Sequence, residues 1–419
     1  VRGAANEKRA GFDPDPEIEN GQALCGVVEK QENMSERIPF CLPDITEREI
    51  AEVVDTLRSG WLTTGPKTKR FEQEFAAYAR APHAVALNSC TAALHMALAA
   101  IGLEEGDEVI TTPYTFVASA ETIVYHKAKP VFVDVDPHTL CLDPAKLEAA
   151  ITPRTRAIVP VDIAGHPAPL DEIVAIARAH GLKVVEDAAH ATETWYKDRK
   201  VGSIADATAF SFYATKNLST GEGGMLTCLD EELAARARII SLHGMSKDAW
   251  KRYDKGGSWF YEIVETGYKY NLTDVASSLG LVQLARIEDM RRRRLRLKDL
   301  LFRELGTEPD LFTLPATGEG HQHAWHLFQL RLNLEALSID RARFIEEMAA
   351  REVAASVHFI PVHLHPWYRR TYGYTGGEYP VAEAEYAREI SLPFFSSMTD
   401  DQALRVAEVC LEIGRSFRR

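Results

Sequence analysis

Residues 210–217 read Phe210-Ser211-Phe212-Tyr213-Ala214-Thr215-Lys216-Asn217 and run into Gly221-Glu222-Gly223-Gly224. The run Ala207–Phe212 is strand-like and delivers a serine and then a lysine. Met225–Cys228 is a second strand-like run beyond the glycine turn. A lysine at the end of a buried strand is costly unless its amine is neutral, paired or covalently engaged. A surface lysine on a loop is the plain alternative, and the rest of the chain decides between the two.

Upstream of this stretch the chain alternates. Ala84–Leu87, Glu108–Thr112, Pro130–Asp134, Ala157–Val161 and Leu182–Glu186 read as strands, with helices ending near Ala100, His126, Ala150 and His180 between them. This βαβα rhythm predicts a mostly parallel sheet covered by helices. In such sheets ligands gather at the carboxyl ends of strands. The Ser89 turn, Phe116, Asp187 and Ser211 each follow a strand end, so residues far apart in sequence can converge on one site. At Asn88-Ser89-Cys90-Thr91 a strand turns into a helix, leaving backbone N–H groups and the positive end of the helix dipole for an anion. A serine N-cap with no ligand gives the same pattern.

Nearer the N-terminus, Thr46-Glu47-Arg48-Glu49 has the form of a capping box, with Ile50, Val53, Val54 and Leu57 on one helical face behind it. The loop Trp61–Pro66 leads to a second helix at Thr68–Tyr78. Downstream, Glu231–Leu242 is helical and residues 244–270 are irregular. A long helix at Val275–Arg303 carries the basic run Arg291–Arg294, Arg296 and Lys298, which reads as a solvated face or as a phosphate contact. Thr307–Gly320 reads as a linker. Strands near 325–332 and 354–359 and helices near 339–351 and 400–416 make a smaller α+β domain. The expected division is a flexible extension at 1–37, with Met34 the candidate natural start, a large domain at 38–280 and a small C-terminal domain at 281–419.

Composition bounds the function. With 419 residues, 46% hydrophobic and 26% charged, the chain has the make-up of a folded protein with a sizeable core. A net charge of −13 speaks against non-specific nucleic-acid binding, which needs basic groups on phosphates. Cysteines 25, 41, 90, 141, 228 and 410 form no C-x-x-C pair, which fits a reducing cytosol. There is neither an apolar run of about 18 residues nor a signal-peptide pattern. A cytoplasmic protein with no membrane partner is expected.

In combination, Ser59–Pro66, Glu186-Asp187-Ala188-Ala189-His190, Ser211–Lys216 with Gly221–Gly224, and Gly267–Asp274 resemble the DegT/DnrJ/EryC1/StrS family of pyridoxal-phosphate-dependent sugar aminotransferases. The resemblance covers about residues 38–415. It implies an α/β fold of type I, in which helices sandwich a large, mostly parallel seven-stranded sheet and a smaller α+β domain follows. The stretches Gly267–Asp274 and His323–His326 are similar to members that aminate C4 of a UDP-4-keto-pentose for lipopolysaccharide modification. The implied reaction moves an amino group from L-glutamate to a nucleotide-linked keto-sugar, foremost a UDP-4-keto sugar. Amination at C3 of a dTDP- or GDP-linked sugar is the alternative.

The resemblance also implies roles. Lys216 would condense with the cofactor aldehyde and later shuttle a proton, and Asp187 would keep the pyridine nitrogen protonated. For Asp187 a strand-end helix cap is the other reading. Phe116 would stack on the cofactor ring, unless it is a core aromatic. The N–H groups of Cys90 and Thr91 and the Ser211 hydroxyl would hold the phosphate. His190 would lie near the ring oxygen or be a satisfied core histidine. Asn271 would reach the cofactor phosphate of a neighbouring subunit, making a homodimer with composite sites. His358 and His363 would line the substrate pocket. A metal role for them and His365 is set aside, since no nearby carboxylate or cysteine completes a ligand set. A dehydratase on this fold carries histidine in place of Lys216. A non-catalytic sugar-nucleotide-binding regulator would lack Lys216 or Asp187.

Overall fold

A computed structural model of the protein describes residues 37–246, 261–318 and 320–419. The chain divides into two units, Val1–Ile38 and Pro39–Arg419. The expected extension at 1–37 lies outside the described residues except for Arg37, and so does the part of the irregular stretch at 247–260.

The second unit opens with helix α1 (Glu47–Ser59), whose N-cap Thr46 and N3 residue Glu49 form the reciprocal capping box. Helix α2 (Pro66–Ala79) begins with proline at its first position, where a missing N–H costs nothing. There follow β1 (His83–Leu87), α3 (Cys90–Ala100), β2 (Glu108–Thr111), α4 (Ala118–Tyr125), β3 (Lys129–Phe132), β4 (Thr155–Val159), α5 (Leu170–Ala179) and β5 (Lys183–Asp187). After a small hairpin of β6 (Trp195–Tyr196) and β7 (Arg199–Lys200) come β8 (Ala207–Ser211), β9 (Gly224–Cys228) and α6 (Glu231–Ile240).

The seven large-sheet strands lie in the order β1-β9-β8-β5-β4-β2-β3. Neighbours from β8 through β3 are parallel, while β9 runs antiparallel to both β8 and β1. A parallel return would need a crossover element. The β8–β9 connection, residues 212–223, contains no helix and folds straight back.

Sheet alternation sorts side chains into two cores. In β1, Val85 and Leu87 join the core built on α3, while Ala84 and Ala86 join the one built on Phe71 and Phe75 of α2. In β8 and β9, Ala209 and Leu226 take the first side and Phe210 and Met225 the second. Fully burying aromatics such as Phe71 and Phe75 stabilises by about 1.5–3 kcal/mol each. The sheet is thus covered on both faces, and its central strands read as near-continuous apolar runs.

Helix α7 (Asp274–Leu305) is 32 residues long. The expected domain boundary at residue 280 falls inside it, and Pro39–Arg419 clusters as one unit. The C-terminal part adds β10 (Phe312–Thr313), β11 (Phe328–Leu332), α8 (Arg341–Ala350), α9 (Pro366–Tyr372), α10 (Pro380–Arg388), β12 (Glu389–Leu392) and α11 (Asp400–Ser416), with β10-β11-β12 an antiparallel sheet. The strand expected at 354–359 is not one. β12 takes its place beside β11, and the segment's backbone pairing with β12 is a Ser356–Ser391 bridge, with His358 bonded to the Glu389 and Ser391 side chains.

The basic run on α7 is a solvated face at Arg292, Arg293 and Arg296, while Arg294 is buried, and each of its side chains has an acidic partner. Arg291, Arg292, Arg293, Arg294, Arg296 and Lys298 pair with Glu288, Asp289, Asp44, Glu193, Asp400 and Asp299 respectively.

Candidate active site

Strands β5 and β8 are parallel neighbours and end at Asp187 and Ser211. Around these ends the structure brings Cys90, Thr91, Phe116, Asp187, His190, Ser211, Lys216 and His358 onto one cavity of about 370 Å³.

One end of the cavity is the start of α3. Ser89 caps this helix, its Oγ accepting from Ala92 N–H at 3.0 Å, and Ala93 N–H begins the helical ladder on Ser89 O at 3.1 Å. Of the first-turn donors, the N–H groups of Cys90 and Thr91 are left for an anion. β9 presses against this turn: a Cβ on Gly224 would lie 2.4 Å from Ser89 C and 2.6 Å from Cys90 N. The cradle therefore needs glycine there. The Cys90 thiol is turned toward Asp187 Oδ1, 4.0 Å away, and the Ser211 hydroxyl accepts from Tyr213 N–H at 3.4 Å.

Asp187 is buried, and burial raises its pKa. The Ser119 hydroxyl at 2.7 Å, the Ala189 N–H at 3.1 Å and the charge of Lys216 work the other way and favour the carboxylate. An anion fixed at the sheet end is what a protonated ring nitrogen needs opposite it.

Lys216 follows β8, is half-buried and lines the cavity. Burial lowers its amine to about 8, and Cys90, Asp187 and Cys41 partly offset that effect. Roughly a tenth of the amine is then neutral and nucleophilic at about pH 7, far more than for an ordinary lysine. His190 Nδ1 accepts from Ala164 N–H at 3.1 Å. Burial and the nearby lysine keep its ring neutral, so its single proton sits on Nε2 as a donor. The core-histidine and ligand readings of His190 both describe it: one nitrogen is satisfied by backbone while the residue lines the cavity.

Phe116 is not a core aromatic. It is 58% exposed, with its ring centroid 5.9 Å from that of Phe359. His358 stacks on Phe40 at 5.5 Å, and its Nδ1 lies 2.8 Å from Ser391 Oγ.

Two expected site residues lie elsewhere. His363 does not line the cavity, which corrects its assignment to the substrate pocket. It is fully buried and its Nε2 lies 2.9 Å from Glu383 Oε1. Its ligand atom and those of Glu378 and Glu383 fall within 4.8 Å of one another. These carboxylates accept from the backbone N–H groups of Thr375, Gly376 and Gly377, so the group braces a loop. Asn271 also lies off its own chain's cavity, with its Nδ2 donating to Thr64 Oγ1 at 2.7 Å and its Oδ1 accepting from Lys269.

The cavity holds residues that sequence reasoning missed: Phe40, Cys41, His326, Phe359 and Phe394. His326 belongs to a stretch already singled out, but the expected strand near 325–332 takes it in, whereas β11 begins at Phe328 and His326 precedes it. Phe359 adjoins His358 in a segment expected at the substrate pocket, and Phe40, Cys41 and Phe394 carry no motif.

The donor set fits pyridoxal phosphate: two free helix-entry N–H groups and a hydroxyl for the phosphate, an exposed aromatic for the ring, an acid for its nitrogen and a lysine for its aldehyde. When bound, this cofactor supplies an aldehyde that condenses with amines and a ring that takes up electrons.

Comparison with known proteins agrees. Residues 43–410 match the DegT/DnrJ/EryC1/StrS aminotransferase family. The chain is 51% identical over 377 residues to the spore coat polysaccharide biosynthesis protein SpsC of Bacillus subtilis, covering 90% of this chain and 97% of that protein. Among solved structures it is similar to the putative sugar aminotransferase Spr1654 from Streptococcus pneumoniae in its PMP form, with a TM-score of 0.85 and 38% identity over 90% of this chain and 99% of that one. It is also similar to S. venezuelae DesV in complex with a ketimine intermediate, with a TM-score of 0.82 and 34% identity over 90% and 98% of the two chains. The chain belongs to the DegT/DnrJ/EryC1/StrS aminotransferase family, and is a fold type I, pyridoxal-phosphate-dependent sugar aminotransferase.

Proposed function

We propose that the protein transfers the amino group of L-glutamate to C4 of a UDP-4-keto sugar, working as a cytoplasmic homodimer. The observation that carries the transferase chemistry is the placement of Asp187, at the end of β5, and Lys216, on the loop that follows the neighbouring parallel strand β8, on one cavity. In that arrangement Cys90 and Thr91 bind the phosphate, Asp187 holds the ring-nitrogen proton and His190 donates to the ring oxygen. Lys216, once free, moves a proton between the cofactor carbon and the substrate carbon.

The substrate end of the cavity is lined by Phe40, Tyr213, His358, Phe359 and Phe394. Flat apolar faces beside a histidine suit a sugar and a base. Lys216 is the one cationic side chain among the described residues lining the cavity. A cofactor phosphate plus a nucleotide diphosphate carries several negative charges. Groups from a second chain fit that need, and Asn271 beside Lys269 is the candidate. The kinship with a polysaccharide biosynthesis protein supports a product destined for a surface polysaccharide. No helix among the described residues is long and apolar enough to cross a membrane.

The test is glutamate-dependent amination of a panel of UDP-, dTDP- and GDP-linked keto-sugars, with products identified by mass and NMR. A 4-amino product formed fastest from the UDP sugar is expected. A C3 product, or a dTDP or GDP preference, would replace this substrate assignment.

A further inference from the structure

Behind Lys216 runs a buried polar chain that the transamination chemistry does not use. Lys216 Nζ lies 3.5 Å from His326 Nε2, at the long end of hydrogen bonding. His326 Nδ1 lies 3.2 Å from Asn217 Oδ1. The Asn217 Nδ2 donates to Glu193 Oε2 at 3.0 Å and to Ala324 O at 3.3 Å. The other Glu193 oxygen is paired with Arg294, and both side chains are almost wholly buried. A buried ion pair is seldom a net source of stability, so its placement calls for another explanation.

The chain admits one proton arrangement. Both partners of Asn217 Nδ2 are pure acceptors, so the amide group can sit only one way round. That leaves Oδ1, another pure acceptor, facing His326, which must put its proton on Nδ1. Burial and the charges of Lys216, His358 and Arg294 hold the ring neutral. Its Nε2 is therefore a bare lone pair, aimed at the lysine amine. His190, 4.5 Å away ring to ring, has the opposite tautomer and carries its proton on Nε2. The two histidines flank the cavity as an acceptor and a donor.

We propose that His326 is a positioning residue for the Lys216 amine, its acceptor tautomer set by the Arg294–Glu193–Asn217 chain. This rests on Lys216 being the cofactor-binding lysine. Whenever the amine is free of the cofactor, one of its N–H bonds is drawn to His326 Nε2. That fixes which way the remaining hydrogens and lone pair face. Four stretches far apart in sequence supply the parts: the loop after Asp187, the residue after Lys216, α7 and the approach to β11. The arginine of the basic run that is most deeply buried has its purpose here.

The experiment measures, for apoprotein at a series of pH values, the rate at which added pyridoxal phosphate is captured, followed by absorbance at the violet edge. The groups facing Lys216 are Cys41, Cys90, Asp187, His190, Tyr213, Glu222, His326 and His358, with Arg294 behind His326. Wild-type capture is expected to rise with pH to a midpoint near 8. His326→Leu removes an acceptor that favours the protonated amine, so the midpoint should fall by roughly half to one unit. His326→Gln, whose carbonyl oxygen can accept from the amine, should restore it. The paired change Glu193→Gln with Arg294→Met removes the ion pair without stranding a charge, leaves Ala324 O as the one remaining pure acceptor on the Asn217 amide, and should move the midpoint the same way as His326→Leu but by less. Thermal melts of each variant separate this from loss of folding, which lowers the captured fraction without moving the midpoint. Unmoved midpoints in both His326→Leu and the paired variant overturn the inference and leave the aminotransferase reading standing. Wild-type protein that captures no cofactor overturns both.

Discussion

The Ser119 hydroxyl, on α4, donates a 2.7 Å hydrogen bond to Asp187 Oδ2 at the end of β5. Burial alone would push Asp187 toward its neutral acid, and this bond is the first of the influences that oppose it. A hydrogen bond to a charged group contributes about 1.5–3 kcal/mol, or roughly one to two pKa units. Ser119→Ala is therefore expected to raise the Asp187 pKa further and move the acid limb of the kcat/KM profile upward by about that much. Asp187→Asn should cut turnover strongly at every pH while leaving cofactor binding partly intact. A Ser119→Ala profile that overlays wild type would show that the hydroxyl does not tune this acid.

Gly224 tests the phosphate cradle. A Cβ there would press on backbone atoms of Ser89 and Cys90 at 2.4–2.6 Å, and backbone cannot swing aside. Gly224→Ala is expected to push α3 off β9, weaken cofactor binding by about tenfold or more, and lower the melting temperature, since overpacking costs about 1–3 kcal/mol. Gly221→Ala is the control. Its φ is +79° and nothing lies within 4 Å of the added carbon, so it should cost about 1–2 kcal/mol of backbone strain and no cofactor affinity. Cofactor titration by absorbance, alongside thermal melts, separates the two.

Asp274 joins two of the family-like stretches. Its carboxylate accepts from Gly65 N–H at 2.7 Å, Thr68 N–H at 2.9 Å, Lys67 N–H at 3.0 Å and the Thr68 hydroxyl at 2.7 Å. It caps α2 from more than 200 residues away while opening α7. Asp274→Ala strands these donors, and a loss of roughly 3–5 kcal/mol in urea unfolding is expected, with Asp274→Asn losing less. Asn271, one turn upstream and bonded to Thr64, should lose its placement with the cap. On the proposed homodimer, weaker self-association in sedimentation is expected to accompany the loss, and undisturbed self-association would count against Asn271 serving a neighbouring subunit.

The parts of this architecture that the sequence made legible share a cause. Ser211, Lys216 and Asp187 sit where a buried apolar run stops, and a polar group at such a stop is conspicuous. Phe116 was ambiguous, because an aromatic after a strand reads alike whether it fills a core or lines a cavity; only its 58% exposure decides. The strand expected at 354–359 failed for a tertiary reason. The backbone N–H and ring of His358 are engaged by Glu389 and Ser391 of β12, which holds the place beside β11. The pairing of Arg294 with Glu193 and of His363 with Glu383 depends on long-range packing, and no local pattern carries it.

The last relationship ties a buried acid to the substrate end of the cavity. Glu389 is fully buried and its carboxyl is pushed up to about 8 by desolvation, against bonds from the Ser391 hydroxyl and His358 N–H that favour the anion. Above that pH the Ser391 proton goes to Glu389, so His358 Nδ1 must donate to Ser391 Oγ and Nε2 is a lone pair. Below it, Glu389 holds its own proton and gives it to Ser391, whose hydroxyl turns to His358 Nδ1; Nε2 then carries the proton. On the proposed function, a carbonyl or phosphate oxygen of the keto-sugar accepts from that Nε2–H. KM for the keto-sugar is therefore expected to rise as pH climbs through about 8. Glu389→Gln holds the protonated pattern permanently, with its amide donating to Ser391 and its oxygen accepting from His358 N–H, so its KM should stay flat. Stability supplies a second readout. A carboxyl raised above its unfolded value contributes stability that is complete below about 4.5 and is lost as pH rises through about 8. Melting temperatures of wild type should decline across that window relative to Glu389→Gln. A stability difference with no break in the wild-type KM would mean that Glu389 titrates without reaching the substrate through His358.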